Sequence, residues 1–495
     1  MSLYELHETP VRNYVKARPF AIFSVSAKTT VESFTKSRPV ADTGGAFQMA
    51  TCDFINSTSQ GTNPLEFTFV PVANGSGRIE SGGANNEQGY LFGGNGSTNG
   101  VNSATIYEIP MAPLQSIAQL RHANGGSIGS VPYVTYTVGE PRAHPALPSN
   151  AAFFKPDSSR TVLDHSWLAN DRLWDGYWFS TLSTLQGTAY TGASSMTQEN
   201  LANQFFANTR SLPNKRNIAY QPPGKSATDA STDALTPGGK KSAAHIMTQG
   251  GFNVNSTSVP AWIAILSGLS ESDILLATGV SEKSTGVPFL RVRCPAAAGS
   301  TFSPREKLWN GFRSLTPVEI KKLAEEIVAE VRTRGPFLSM SEFVNRRLGS
   351  PGGLSNAGAI QAALDRSNVN ANMASNARAI SPTEVAGYGW QNSEAVTGNT
   401  GAGALGEVTQ GDVLSAIGSF VSVRSDTFRI RSYGDARDAS GKITARAHCE
   451  AIVQRVPDYL DPLDSADAIP LVPTNLLFGR QFKIVSFRWL NPSEI

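Results

Sequence analysis

Apolar residues in the segment 316–335 fall on one side of a helix. Ile320, Leu323, Ala324, Ile327, Val328 and Val331 recur at intervals of three and four, with charged residues between them. Thr316 and Glu319 have the spacing of a capping box, Pro317 suits the first helical position, and Gly335 ends the run. A second capped helix is predicted from Ser339, paired with Glu342, to Gly349, and a third from about Ser355 to Arg366.

Toward the C-terminus the period becomes two. Phe428, Ile430, Ser432 and Gly434 share one strand face, and Thr427, Arg429, Arg431 and Tyr433 the other. After a turn at 438–441, Ile443, Ala445, Ala447, Cys449, Ala451 and Val453 alternate with Thr444, Arg446, His448, Glu450 and Gln454. Such strict alternation predicts an antiparallel sheet with one apolar face, joined by a further strand at 482–490. The apolar face of the hairpin carries mostly small side chains, which let another layer approach closely.

Earlier in the chain the pattern is looser. Short β-like runs at 20–24, 65–72, 104–109 and 131–138 are separated by Gly/Asn-rich stretches, notably 74–89 and 93–100, with one helix at 113–122. Residues 195–208 have a helical pattern, and 214–241 read as a polar, mobile loop. The chain therefore reads as α+β. Its expected parts are a β-rich domain (1–148), a mixed α+β domain with an aromatic-dense segment (149–315), a helical insert (316–370), a loose linker (371–415) and the C-terminal antiparallel sheet (416–495).

Composition narrows the function. Of 495 residues, 17% are charged, below the roughly 25% usual for soluble domains, and 45 Gly and 29 Pro fill the difference. Lys plus Arg exceed Asp plus Glu by only +2, so nothing draws the whole chain to nucleic acid. The cysteines, Cys52, Cys294 and Cys449, are too far apart for a metal motif. No apolar stretch reaches the ~20 residues needed to cross a bilayer.

No catalytic, cofactor or metal motif survives inspection. Gly125, Ser127 and Gly129 match the nucleophile-elbow spacing, but the motif needs a strand before the serine and a helix after it, and here the predicted order is reversed. Gly224-Lys225-Ser226 and Gly239-Lys240-Lys241-Ser242 lack the upstream glycine of a phosphate loop, which is Ala219 or Ala234 instead. None of the 6 histidines pairs at ligand spacing, and His448 and Cys449 point to opposite strand faces. Asp458, Asp461, Asp464 and Asp467 recur every third residue, which is oxygen-rich without the alternation of a calcium loop. Trp167, Trp174 and Trp178, in the aromatic run 167–179, are candidates for stacking on a glycan, against a core role. Arg429, Arg431, Tyr433, Arg446 and Glu450 form a candidate partner-binding face.

Several stretches resemble the Verru_Chthon cassette protein A family of certain bacteria. They are PLQSIAQLRHA (113–123), YTVGEPRAHP (136–145), DHSWLANDRLWDGYWFS (164–180), GGFNVNSTSVPAWIAILSGL (250–269), RGPFLSMSEFVNRRL (334–348) and the segment 423–462. In order, they cover most of the chain from about Pro113 onward. Members look like exported proteins with a prepilin-like N-terminus, encoded beside smaller pilin-like proteins. The chain is similar to the C-terminal part of a member, which implies that any membrane contact is made by an N-terminal segment outside this sequence and leaves open whether Met1 is the native start. Residues 334–348 and the strand RSDTFRIRSYGDA have a weaker likeness to the minor pseudopilin K of type II secretion.

The resemblance implies a non-catalytic structural or assembly protein, outside the cytoplasm, contacting pilin-like proteins of the same gene cassette or a second copy of itself, with no cofactor and no nucleic acid. The alternatives are a secreted carbohydrate-binding protein using the run 167–179 and, third, an enzyme. One expected outcome separates the last of these: a fluorophosphonate probe leaves Ser127 unlabelled, whereas labelling there, read by peptide mass spectrometry, reinstates hydrolase chemistry.

Overall fold

The structure, a computed structural model, describes residues 114–121, 138–144, 147–158, 161–183, 196–236, 239, 241–268, 313–350, 353–371, 391–396 and 407–495, and elsewhere the backbone of short segments, mostly strands. The expected strand at 131–138, apart from Val138, lies outside the described residues, as do Ser127 and the Gly/Asn-rich stretches. Among the described residues the α-helices include α1 (His165–Leu173), α2 (Gln198–Phe206), α3 (Ala227–Ala234), α4 (Val259–Leu266), α5 (Pro317–Arg334), α6 (Met340–Val344), α7 (Ala359–Ser367), α8 (Gln410–Ile417) and α9 (Pro473–Phe478). The described strands include β1 (Asn217–Ala219), β2 (Ile246–Thr248), β3 (Thr427–Arg437), β4 (Ile443–Tyr459) and β5 (Arg480–Trp489). The fold is α+β.

Two compact units interleave along the chain. The first comprises Met1–Phe179, Leu185–Ser194 and Val254–Ser419; the second comprises Ser180–Thr184, Ser195–Asn253 and Phe420–Ile495.

In the first unit α5 begins with the expected box. Thr316 Oγ1 accepts from Glu319 N at 3.3 Å, and the Glu319 carboxylate accepts from Thr316 N at 2.8 Å. Its stripe, from Ile320 to Val331, is buried and packs on α7 and α4. Trp262 of α4 stacks on Phe343 of α6, with ring centroids 6.4 Å apart. Two helices are shorter than expected. α6 stops at Val344 rather than near Gly349, because Asn345 is extended and Arg346 turns inward. α7 starts at Ala359 rather than near Ser355, its first amides capped from α8.

That cap involves a reciprocal pair of glutamines. Gln410 Oε1 accepts from Ile360 N and Gln361 N, its Nε2 donates to the carbonyls of Gly139 and Val344, and its own N donates to Gln361 Oε1 at 2.9 Å. Gly358 sits so close that an added Cβ would lie 2.0 Å from the Val344 carbonyl oxygen. Within the expected loose linker 371–415, the part from 407 onward is packed instead: Val408, Gln410, Val413 and Leu414 are buried, on a segment whose low charge disguised a capped core helix.

The deepest charge is Arg346. Its guanidinium donates to Asp164 Oδ2 through Nε and Nη2, at 3.2 and 3.0 Å, and to the carbonyls of Ser149, Ala151 and Ser355. Asp164 is also the N-cap of α1, accepting from Trp167 N at 2.9 Å. A second polar cluster holds Glu140, whose carboxylate faces Arg142 Nε at 3.3 Å, while Arg142 also meets Glu407 and Asp365. Burial, offset in part by Arg142 and reinforced by Glu407 and Asp412, pushes the Glu140 carboxyl from 4.5 to about 8.

In the second unit, residues expected to be a mobile loop are ordered. Ser226 and Asp229 form a capping box that starts α3, and Ala230 and Ala234 pack with Leu201, Phe205, Phe206 and Ile246. Polar composition had hidden two small core-facing alanines four residues apart. β1 and β2 pair antiparallel beside them.

Two outcomes test these interiors. Asp164→Asn leaves Arg346 buried without a counter-charge and should cost about 3–5 kcal/mol of unfolding free energy, whereas Asp164→Leu with Arg346→Met should recover part of that loss in urea titrations. The folded chain keeps the Glu140 proton between pH 4.5 and about 8 while the unfolded chain has released it, so stability falls as pH rises through that window. Glu140→Gln should flatten this slope in thermal unfolding measured across the same range.

Candidate functional site

The sheet β3–β4–β5 concentrates exposed chemistry. Its first turn is fixed by Asp438 Oδ1, which accepts from Ser440 N, Ser440 Oγ and Lys442 N, and by Gly441, whose φ of 83° suits the left-handed region. β3 pairs antiparallel with β4 so that Phe428 faces Val453, Ile430 faces Ala451, Arg431 faces Glu450 and Tyr433 faces His448. β4 pairs with β5, placing Arg488 opposite Glu450, Phe487 opposite Ala451 and Trp489 opposite Cys449.

Register therefore brings the five candidate partner-binding residues, Arg429, Arg431, Tyr433, Arg446 and Glu450, onto one face, as their alternation requires. Glu450 is the centre of that face, not a free surface group. It is buried, with Arg431 Nε at 2.8 Å, Arg488 Nε at 3.2 Å and Arg429 Nε at 3.8 Å. The Arg431 guanidinium, then Arg488, hold its carboxyl below the usual carboxylate range. Arg488 was missed from sequence because only pairing with β5 brings it there. Tyr433 donates to Asp435 Oδ2 at 2.8 Å and lies against His448, ring centroids 4.8 Å apart.

The opposite face is apolar and open. Phe428, Ile430, Phe482, Ile484, Phe487 and Trp489 are between 39% and 68% exposed, flanking the small residues Ala445, Ala447, Cys449 and Ala451 of β4. Phe428 meets Phe482 at 6.0 Å and Phe487 meets Trp489 at 5.5 Å between centroids. Cys449 is a free thiol on this side, away from His448. The connection from β4 to β5 carries further exposed apolar residues, Leu463, Ile469, Leu471, Leu477 and Phe478.

Other candidates resolve differently. The three tryptophans do not form one platform, a correction to the glycan-stacking expectation. Trp174 is buried with its indole Nε1 donating to Asn170, and half-buried Trp167 donates to the Arg346 carbonyl; of the three, Trp178 is exposed. Trp167 lies within α1, Trp174 caps its C-terminal end and Trp178 follows it outside the helix, so the three answer to different surroundings. Each of the four spaced aspartates already accepts a hydrogen bond. Asp458 accepts from Tyr220, Asp461 from Leu463 N, Asp464 from Leu471 N, Val472 N and Asn475 Nδ2, and Asp467 from Ser465. Among the described residues no group of three His, Cys, Asp or Glu converges as metal ligands. Ser226, from the first of the two GK fragments, is spent on capping α3, and His245 pairs through Nε2 with Asp233 at 3.4 Å. Among the described residues, no helix is long and apolar enough to cross a membrane.

No protein-family model matches the chain, and no curated protein or solved structure shows significant similarity to it.

Proposed function

We propose that the chain is a non-catalytic structural or assembly component of an extracytoplasmic, pilus- or pseudopilus-like bacterial surface system. It acts through protein–protein contacts, with pilin-like proteins of the same cassette as its partners. The observation that carries this reading is the C-terminal sheet. Six large apolar side chains stand open on one face and a cluster of arginines on the other. Monomeric proteins rarely leave a contiguous apolar surface of this kind uncovered, and a charged face beside it suits recognition by complementary charge. The resemblance of residues 113–462 to the cassette family supplies the surface system and the class of partner.

Co-expression with the neighbouring pilin-like proteins tests the reading. The chain should fractionate outside the cytoplasm and co-purify with at least one of them. Arg429→Gln with Arg431→Gln leaves Arg488 paired with Glu450, so the enclosed carboxylate keeps a counter-charge and the chain should remain folded, checked by circular dichroism. Co-purification should fall by about tenfold or more. A wild-type chain confined to the cytoplasm, with no pilin-like protein bound, overturns the proposal.

A further inference from the structure

The outer edge of β3 is the least protected backbone in the sheet. Among the described residues the strand order is β3–β4–β5, so β3 has a partner on one side only. All 11 of its residues are exposed. Arg455 N donates to the carbonyl of Asp426 at 2.7 Å. In an antiparallel ladder the bonding pairs then alternate, so Phe428, Ile430 and Ser432 turn their amides toward β4. Thr427, Arg429, Arg431 and Tyr433 turn theirs outward.

This edge carries a two-sided code. On one face Arg429 and Arg431 share the carboxylate of Glu450 with Arg488, which also pairs with Glu494, so three arginines meet two carboxylates and one positive charge is in excess. On the other face Phe428 and Ile430 are open. Residues opposite one another in a ladder share a face and interact. A strand laid along β3 would therefore place alternate residues against arginines and against apolar side chains. β5, the other edge, is less suited, because its pairing with β4 shifts register twice and bulges disturb an edge.

We propose that β3 receives an extended strand from a partner protein, in which acidic residues alternate with apolar ones. Main-chain hydrogen bonds to the outward amides hold the strand, and the alternation selects it. Glutamate or aspartate meets Arg429 and Arg431, and aliphatic residues extend the apolar face beside Phe428 and Ile430. A nucleic acid or acidic polysaccharide fits the positive face alone and leaves the amides and the apolar face unused. The inference deepens the assembly reading and rests on it for the role of the sheet.

The test uses the purified full chain and a fluorescein-labelled synthetic peptide of about ten residues alternating Glu and Val, with binding followed by anisotropy. The alternating peptide should bind at least about tenfold more tightly than an isomer with all Glu before all Val, a comparison that needs no variant. Arg429→Gln with Arg431→Gln should weaken binding by a similar factor. Tyr433→Pro removes one outward amide while sparing both arginines and should weaken it, whereas Tyr433→Phe should not; circular dichroism confirms that each variant is folded. Absence of binding, equal binding of the two isomers, tighter binding of an oligodeoxynucleotide of equal charge, or a folded Tyr433→Pro chain with unchanged affinity overturns the proposal. Co-purification with pilin-like proteins but no preference for the alternating peptide removes strand addition alone. Peptide selectivity without co-purification removes the assembly reading instead.

Discussion

The contact between Arg346 and Asp164 is the constraint on which the described interior of the first unit depends. A guanidinium taken wholly out of water is tolerated only when its donors all find acceptors. Here the acceptors come from three separate stretches: the Asp164 carboxylate at the head of α1, the carbonyls of Ser149 and Ala151, and that of Ser355. Each must hold its place for the charge to stay buried. The same demand explains why α6 ends after a single turn, since a continued helix would not deliver the Arg346 side chain to this cage. The backbone carbonyl of Arg346 then accepts from the Trp167 indole, and Asn345 Nδ2 donates to the Trp167 carbonyl, so α1 and α6 are tied at adjacent residues.

Other polar groups in that interior follow the same logic. Gln361 and Gln410 satisfy each other and the open amides of α7, which lets a glycine-capped helix start inside the protein. Glu330 and Arg334 pair along α5, and Arg334 reaches the carbonyls of Leu354 and Ala357. A core fastened by directional bonds of this kind specifies one arrangement more narrowly than apolar packing alone.

The C-terminal sheet obeys a different rule. Little of β3 or β5 is buried within the chain, so their side chains answer to whatever meets them from outside. Charge is nevertheless organised there. Glu450 draws three arginines to one point, and the aspartates of the following connection are each tied to a donor close by in the chain, or to Tyr220. Order without burial distinguishes this surface from a frayed edge.

How much of this could be read beforehand follows from the range of each interaction. The stripe and caps of α5, the alternation of β3 and β4 and the turn at 438–441 depend on residues within a few positions of one another, and local spacing was enough to place them. The candidate face of Arg429, Arg431, Tyr433, Arg446 and Glu450 was legible for the same reason. Contacts between distant segments were not. That Glu450 is enclosed, that Arg488 completes its cage, that Trp174 is buried and that the segment 407–417 belongs to the core depend on contacts the sequence does not display. Secondary structure in this chain is written in short-range periodicity and capping, whereas burial and pairing between strands come from chain segments that meet only on folding, so the tertiary structure alone decided them.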